Sequence, residues 1–133
     1  MSHFINIRTQ IREREHLVQA LRDLHYQFQI SPALTNDLVV RGYQGNRERA
    51  EVIVDTGTAY DIGFQKKAGN YEVCADWWGV QKGRIKQVTF LQQLNQQYAR
   101  NIVRDQFKLD DRVFEKEERL SDGSIRITVS DRG

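Results

Sequence analysis

Three histidines and one cysteine are the scarce chemistry-bearing residues of this sequence: His3, His16, His25 and Cys74. Two metal ligands on a helix must stand three or four residues apart to reach one ion. No two histidines have that spacing, and neither Cys-x-x-Cys nor His-Glu-x-x-His occurs, so no metal and no cofactor is expected. His25 closes a helical stretch, where an imidazole meets the negative end of the helix dipole. Cys74 alternates with Glu72 and Asp76. On a strand those three share a face, and neighbouring carboxylates oppose thiolate formation, which suits a structural thiol better than a nucleophile. Asp110, Asp111, Glu115, Glu117 and Glu118 form charge runs of the kind that make a solvated face. No pair of acids is set among apolar residues in a way that would raise one pKa for acid–base work. The sequence predicts no catalytic constellation and no enzyme.

The segment Gly42-Tyr43-Gln44-Gly45-Asn46-Arg47 has the glycines of a phosphate loop but lacks its Lys-Ser or Lys-Thr. It also lies between two strands instead of opening a helix, so no helix dipole favours an anion there. A turn is the expectation, with Gly42 or Gly45 at positive φ and Arg47 or Arg49 exposed. Basic residues gather around the turns: Arg41, Arg47 and Arg49 here, Lys66 and Lys67 later, and Lys82, Arg84 and Lys86 after the tryptophans. With Tyr43 and Trp78 they could stack on and contact the phosphates of a single-stranded nucleic acid. Lysines on edge strands also serve simply to prevent sheet-to-sheet pairing. Alternation along the strand that ends at Trp78 turns Tyr71, Val73, Ala75 and Trp77 toward a core and Trp78 the other way. An outward tryptophan beside Lys82 and Arg84 has the makeup of an interface anchor. The competing expectation is that the chain bends at Gly79 and tucks Trp78 under a helix. The candidate partner-binding residues are therefore Trp78, Tyr43, Arg41, Arg47, Arg49, Lys82 and Arg84.

These residues must be positioned by two kinds of periodicity. Ile5 and Ile7 alternate with Asn6 and Arg8, which predicts a half-buried strand over 3–9. Leu17, Val18, Leu21 and Leu24 predict an amphipathic helix over 13–25. Residues 26–30 read as a short strand, and the proline-containing stretch 31–36 as a loop. Period two then runs from Asp37 to Trp78. Strands are expected at 38–41, at 49–55 with Val52 and Val54 opposite Glu51, Ile53 and Asp55, at 60–65, and from Tyr71 to Trp77. Lys67-Ala68-Gly69-Asn70 is a hairpin turn between the last two. A second helix carries Val88, Leu91, Leu94 or Asn95, Tyr98, Ile102 and Phe107 on one stripe, with Gln92, Gln93, Gln96, Gln97 and Arg100 on the others. Strands at 112–119 and 124–129 flank Ser121-Asp122-Gly123, a strong hairpin signal. The order is β-α-β-β-β-β-α-β-β. Two amphipathic helices bury their stripes best on one face of an antiparallel sheet, giving an α+β fold with Leu21, Ile62, Val73, Leu91 and Tyr98 buried together.

The chain has 133 residues, enough for a single domain that folds without disulfide or metal. Hydrophobic residues at 39% and charged residues at 29% exclude a disordered class. A net charge of +2 lacks the basic excess of a protein that works by neutralising phosphates. A single cysteine excludes a disulfide scaffold and fits a reducing compartment. No stretch has the roughly 20 apolar residues of a membrane helix, and the N-terminus does not read as a signal peptide, so membrane insertion is not expected.

The pieces Met1-Ser2-His3-Phe4, Arg41-Gly42-Tyr43-Gln44-Gly45, Arg49-Ala50-Glu51, Tyr60-Asp61-Ile62-Gly63-Phe64, Ala75-Asp76-Trp77-Trp78-Gly79-Val80 and Leu94-Asn95-Gln96-Gln97-Tyr98-Ala99 follow one another in order. Together they resemble the hypothetical chloroplast open reading frame thirty-five family, catalogued as domain-of-unknown-function family 1257. Ser121-Asp122-Gly123-Ser124-Ile125-Arg126 is similar to the tail of its cyanobacterial members, while the loop at 31–36 is longer than usual. The resemblance implies a protein of the cyanobacterial cytoplasm or plastid stroma and carries over no activity. The expectation for function is a non-enzymatic accessory protein with a protein partner, for which homo-oligomerisation is compatible. The alternative is a nucleic-acid-binding regulator using the basic turns.

Overall fold

Alternation of β-branched and aromatic residues builds the centre of the molecule, and helical stripes cover it. A computed structural model describes residues 3–109, 112–119 and 125–131, with side chains as far as residue 107. In chain order the elements are β1 (Ile5–Arg8), α1 (Arg14–Asp23), β2 (Gln27–Ile30), β3 (Leu38–Arg41), β4 (Arg47–Ala50), β5 (Val52–Asp55), β6 (Asp61–Lys67), β7 (Asn70–Ala75), α2 (Trp77–Val80), α3 (Gln87–Leu109), β8 (Arg112–Arg119) and β9 (Ile125–Asp131). A five-stranded sheet runs in the order β1-β7-β6-β5-β2, with every neighbouring pair antiparallel. The pairs β3–β4 and β8–β9 form separate two-stranded ribbons. The α+β class, the antiparallel sheet and the element order follow the sequence reading, with the strand expected over 49–55 divided in two. The hairpin turn expected at 121–123 lies outside the described residues.

One face of the sheet carries both long helices. Leu17, Ala20 and Leu21 of α1 and Phe90, Leu94 and Tyr98 of α3 share one core with Val52, Val54, Ile62, Phe64, Tyr71, Val73 and Ala75. The expected set is together there: Leu21, Ile62, Val73 and Tyr98 are buried, and Leu91 packs against them partly buried. Full burial of an aliphatic or aromatic side chain is worth about 1.5–3 kcal/mol, so this cluster dominates stability. The α1 helix ends in a Schellman turn. His25 takes φ 65° and donates its N–H to the Arg22 carbonyl, and Tyr26 donates to that of Leu21. At its start the Tyr98 hydroxyl accepts the N–H groups of Arg12 and Glu13 at 2.9 and 3.0 Å. The two helices are further joined where His16 Nε2 meets Asp105 Oδ2 at 2.7 Å.

The stripe expected on α3 holds at Leu91, Leu94, Tyr98 and Ile102, which are buried or packed against the core, and departs from it at its start. Val88 is 67% exposed, while Gln97 and Asn101 are buried. Phe90 takes the inner place at the helix start, and Gln97 and Asn101 widen the buried face toward α1, where Gln97 Nε2 donates to Asp23 at 3.1 Å.

The second face is covered as well, by the β3–β4 ribbon. Val40 and Ala50 sit over β6, and a Cβ on Gly63 would lie 2.5 Å from Val40 Cγ2 and 3.0 Å from Ala50 Cβ. That is why β6 is buried on both sides from Asp61 to Gln65, although its sequence alternates like a half-buried strand.

Glu51 marks the boundary between the ribbon and the sheet. Its N–H donates to the Phe64 carbonyl and its carbonyl accepts from Ser31. The sequence places it outward with Ile53 and Asp55; in the structure its carboxylate turns to the helix side and is 2% exposed. The chain changes partner between Ala50 and Val52, and the break in the ladder switches which face Glu51 addresses. There Arg14 Nε donates to Glu51 Oε2 at 2.9 Å and the Tyr71 hydroxyl donates to the same oxygen. Burial and the Glu51 hydrogen bond hold the Tyr71 phenol well above its ordinary value, and Glu51 raises Arg14 as well.

At the expected turn, Gly45 has φ +80° and Gln44 before it is also left-handed, while Gly42 is extended with the Phe4 ring against it. Arg47 and Arg49 are both exposed. Two outcomes follow for stability, measured by denaturant unfolding. Gly45→Val is expected to cost about 1–3 kcal/mol, because valine pays backbone strain at that φ. Glu51→Ala is expected to cost about 3–5 kcal/mol by leaving Arg14 and Tyr71 without their acceptor. Glu51→Gln, which keeps an acceptor for Tyr71, is expected to cost only about 1–3 kcal/mol.

Candidate functional site

The strand β7 does not continue to the tryptophans. It ends at Ala75, and Asp76 opens a single helical turn, its carbonyl accepting the N–H groups of Gly79 and Val80. Trp77 is core, as alternation predicts, but reaches it from this turn: it is 3% exposed and its ring centroid lies 6.2 Å from that of Phe90. Trp78 is one residue further round the turn and is 50% exposed.

Around Trp78 the structure gathers aromatic rings from three separate segments. Tyr43, from the turn between β3 and β4, meets it edge-on with centroids 5.6 Å apart at 84°. Tyr60, just before β6, meets it at 6.3 Å and 73°. The ammonium of Lys82 stands 3.4 Å from the Trp78 ring centroid, a cation–π contact. Gly79 makes this packing possible: a Cβ there would lie 2.3 Å from the Tyr60 ring. Chain order alone separates Tyr43, Tyr60 and Trp78, and only the sheet registers bring them together.

Asp76, two residues before Trp78 at the head of the same turn, is 1% exposed, and neither of its carboxylate oxygens has a hydrogen-bond donor among the described residues. Its charge reaches the cluster. The Tyr60 phenol is held above its ordinary value first by burial, then by the Asp76 carboxylate and Tyr43. The sequence places Asp76 beside Cys74 and sets no pair of acids among apolar residues. Among the described residues the structure buries three single acids: Glu51, Asp61 and Asp76. Lone acids at strand ends carry no pairwise signal, so their burial is visible only once the ribbon and the turn are folded over them.

The remaining candidates divide. Arg41 is not a free cation. It donates to Asp61 through its own N–H, Nε and Nη2, each at 2.9 Å, which binds β3 to the start of β6 and raises the guanidinium pKa. Arg49 donates to the Asp37 carbonyl at 3.1 Å. Arg41 and Arg47 line a groove of about 490 Å³ between the ribbon and the β5–β2 edge, floored by Val39 and Ile53. Arg84 is exposed on the loop after α2. Trp78, Tyr43 and Lys82 thus form one cluster, and Arg41 and Arg47 a second feature on the far side of the same turn.

These geometries belong to a family with no assigned activity. The profile of the family described as protein of unknown function (DUF1257) matches residues 20–128, and the chain belongs to that family. It is similar to proteins called uncharacterized protein ycf35. That of Cyanophora paradoxa is 35% identical over 133 residues, covering 97% of this chain and 96% of the relative. That of Guillardia theta is 31% identical over 109 residues, covering 77% and 76%, and that of Pyropia yezoensis 28% over 137 residues, covering 97% and 96%. No solved structure gives a significant match. Among the described residues no helix is long and apolar enough to cross a membrane.

Cys74 lies on the ribbon side of β7 and is fully buried. Burial, then the Glu48 carboxylate, push its thiol up to about 12. The folded protein should therefore keep a protonated, shielded thiol from pH 7 to pH 9. A disulfide exchange reagent is expected to label Cys74 at least about a hundredfold more slowly in buffer than in denaturant. Equal rates in the two would show the thiol to be open.

Proposed function

We propose that this protein is a non-enzymatic interaction protein of the cyanobacterial cytoplasm or plastid stroma, docking a protein partner through Trp78. The observation that carries the reading is a half-exposed tryptophan held rigid on a folded scaffold. Tyr43 and Tyr60 wall it in, and Gly79 lets the turn close beneath. Burying such a ring against a partner releases most of its remaining apolar surface from water, and its fixed geometry keeps the entropic cost of binding small. The reading is also supported by where the polar groups go. Arg41 is committed to Asp61, and Arg49 to a carbonyl of its own chain, so the turn offers fewer cations to phosphates than its sequence suggests. That weakens the nucleic-acid alternative.

Trp78→Ala is expected to cost under about 1 kcal/mol of stability, against about 3–5 kcal/mol for a core tryptophan. Association is to be read by cross-linking and mass spectrometry in the native organism, comparing wild type, Trp78→Ala and Arg49→Ala. A protein recovered with wild type and Arg49→Ala but not with Trp78→Ala supports the reading. Recovery unaffected by Trp78→Ala, or replaced by nucleic acid whose binding falls steeply with salt, overturns it.

A further inference from the structure

The buried Asp76 carboxylate and the nearby rings pose a common electrostatic problem. An ionised carboxylate taken out of water costs several kcal/mol unless a cation or a set of donors answers it. Asp76 has no donor among the described residues. The faces of Tyr43, Tyr60 and Trp78 carry the negative lobe of the aromatic quadrupole. Tyr43 and Tyr60 meet Trp78 at 84° and 73°, so neither ring stacks upon it. A carboxylate whose field reaches Tyr60, together with the electron-rich indole face, favours a large, weakly hydrated cation at the cluster. The protein already places one there, the ammonium of Lys82 at 3.4 Å from the Trp78 centroid. Lys82 is exposed and no ion pair holds it among the described residues, so it is a displaceable occupant.

We infer that the Tyr43–Tyr60–Trp78 cluster, backed by Asp76, is a receptor for an organic cation, the guanidinium of an arginine side chain on the partner, and that Lys82 fills it in the unbound protein. This rests on the docking role of Trp78 and gives that partner a chemistry. Guanidinium is favoured over ammonium because it is planar, stacks on rings and sheds water at lower cost. Asp76 acts through its field at Tyr60 and need not touch the ligand. A charge fixed in a poorly hydrated interior is screened far less than one in solvent.

The test titrates ethylguanidinium into the full chain at constant ionic strength, following the Trp78 indole resonance, with uncharged ethylurea as control. Ethylguanidinium is expected to saturate and ethylurea not. Lys82→Ala, an exposed change that leaves the fold intact, is expected to tighten binding roughly threefold to tenfold by removing the competing ammonium. Asp76→Asn, nearly isosteric, is expected to weaken it by a similar factor, and the Tyr60 phenol should titrate at lower pH in that variant. Equal response to the two probes, or the same affinity in wild type and Lys82→Ala, overturns the receptor. Ethylguanidinium that binds but fails to release a Trp78-dependent partner overturns its assignment to the partner's arginine. A Trp78-dependent partner with no guanidinium binding would sink this inference alone, and a partner indifferent to Trp78 would sink the docking role itself.

Discussion

A single carboxylate ties the two layers of this protein together. Glu51 stands where the chain leaves the ribbon for the sheet, and its one oxygen receives both Arg14 from α1 and Tyr71 from β7. Helix packing by apolar surface alone is non-directional and tolerates sliding. The buried Arg14–Glu51–Tyr71 contact fixes where α1 lies along the sheet. It also requires that the chain turn inward between Ala50 and Val52, and this turn is what frees β3–β4 to cross to the other face.

That crossing shapes everything on the second face. With the ribbon over β6, that strand is sealed on both sides, and Gly63 is the clearance that allows it. Arg41 then reaches Asp61 across the join, so the ribbon's end is pinned to the start of β6. Tyr43 and Tyr60 lie just outside those two anchor points, one beyond the end of β3 and one just before β6. The ring cluster at Trp78 is therefore a by-product of how the ribbon is moored, and its geometry is as rigid as the sheet. An ion pair between buried Asp61 and partly exposed Arg41 contributes only modestly to net stability, but it specifies register.

The sequence made the sheet and helices legible because their signal is local. Val52 with Val54, Tyr71 with Val73, and Leu17 with Leu21 each announce their period within a few residues, and the family pieces lie along the chain in order. What it hid depends on contacts between distant segments. Glu51 follows the outward rhythm of its neighbours until a change of partner strand reverses it. Val88 carries the right residue type for a core stripe yet is exposed, while Gln97 and Asn101 are buried alongside Leu94 and Tyr98. Trp77 reads correctly as buried, though from a helical turn instead of a strand. Trp78, Tyr43 and Lys82 were visible as candidates because aromatic and basic residues stand out in turns. Tyr60 and Asp76 were not, since an ordinary strand tyrosine and a lone aspartate gain meaning only from what folds over them.

The topology also sets an order of events during synthesis. The strand β1, residues 5–8, is made long before its sheet partner among the described residues, β7, with Asn6 opposite Cys74 and Ile7 opposite Val73. Five other strands and a helix are made in between, and those five strands all pair with segments nearer to them in the chain. The nascent protein can therefore assemble β5, β6 and β7 as a meander while β1 is still unpaired. Closing so long a loop carries an entropic cost that the short β1 must recover last. The strand β1 is thus a late-fitting edge, and the half-made protein carries an open seam along β7 until it arrives.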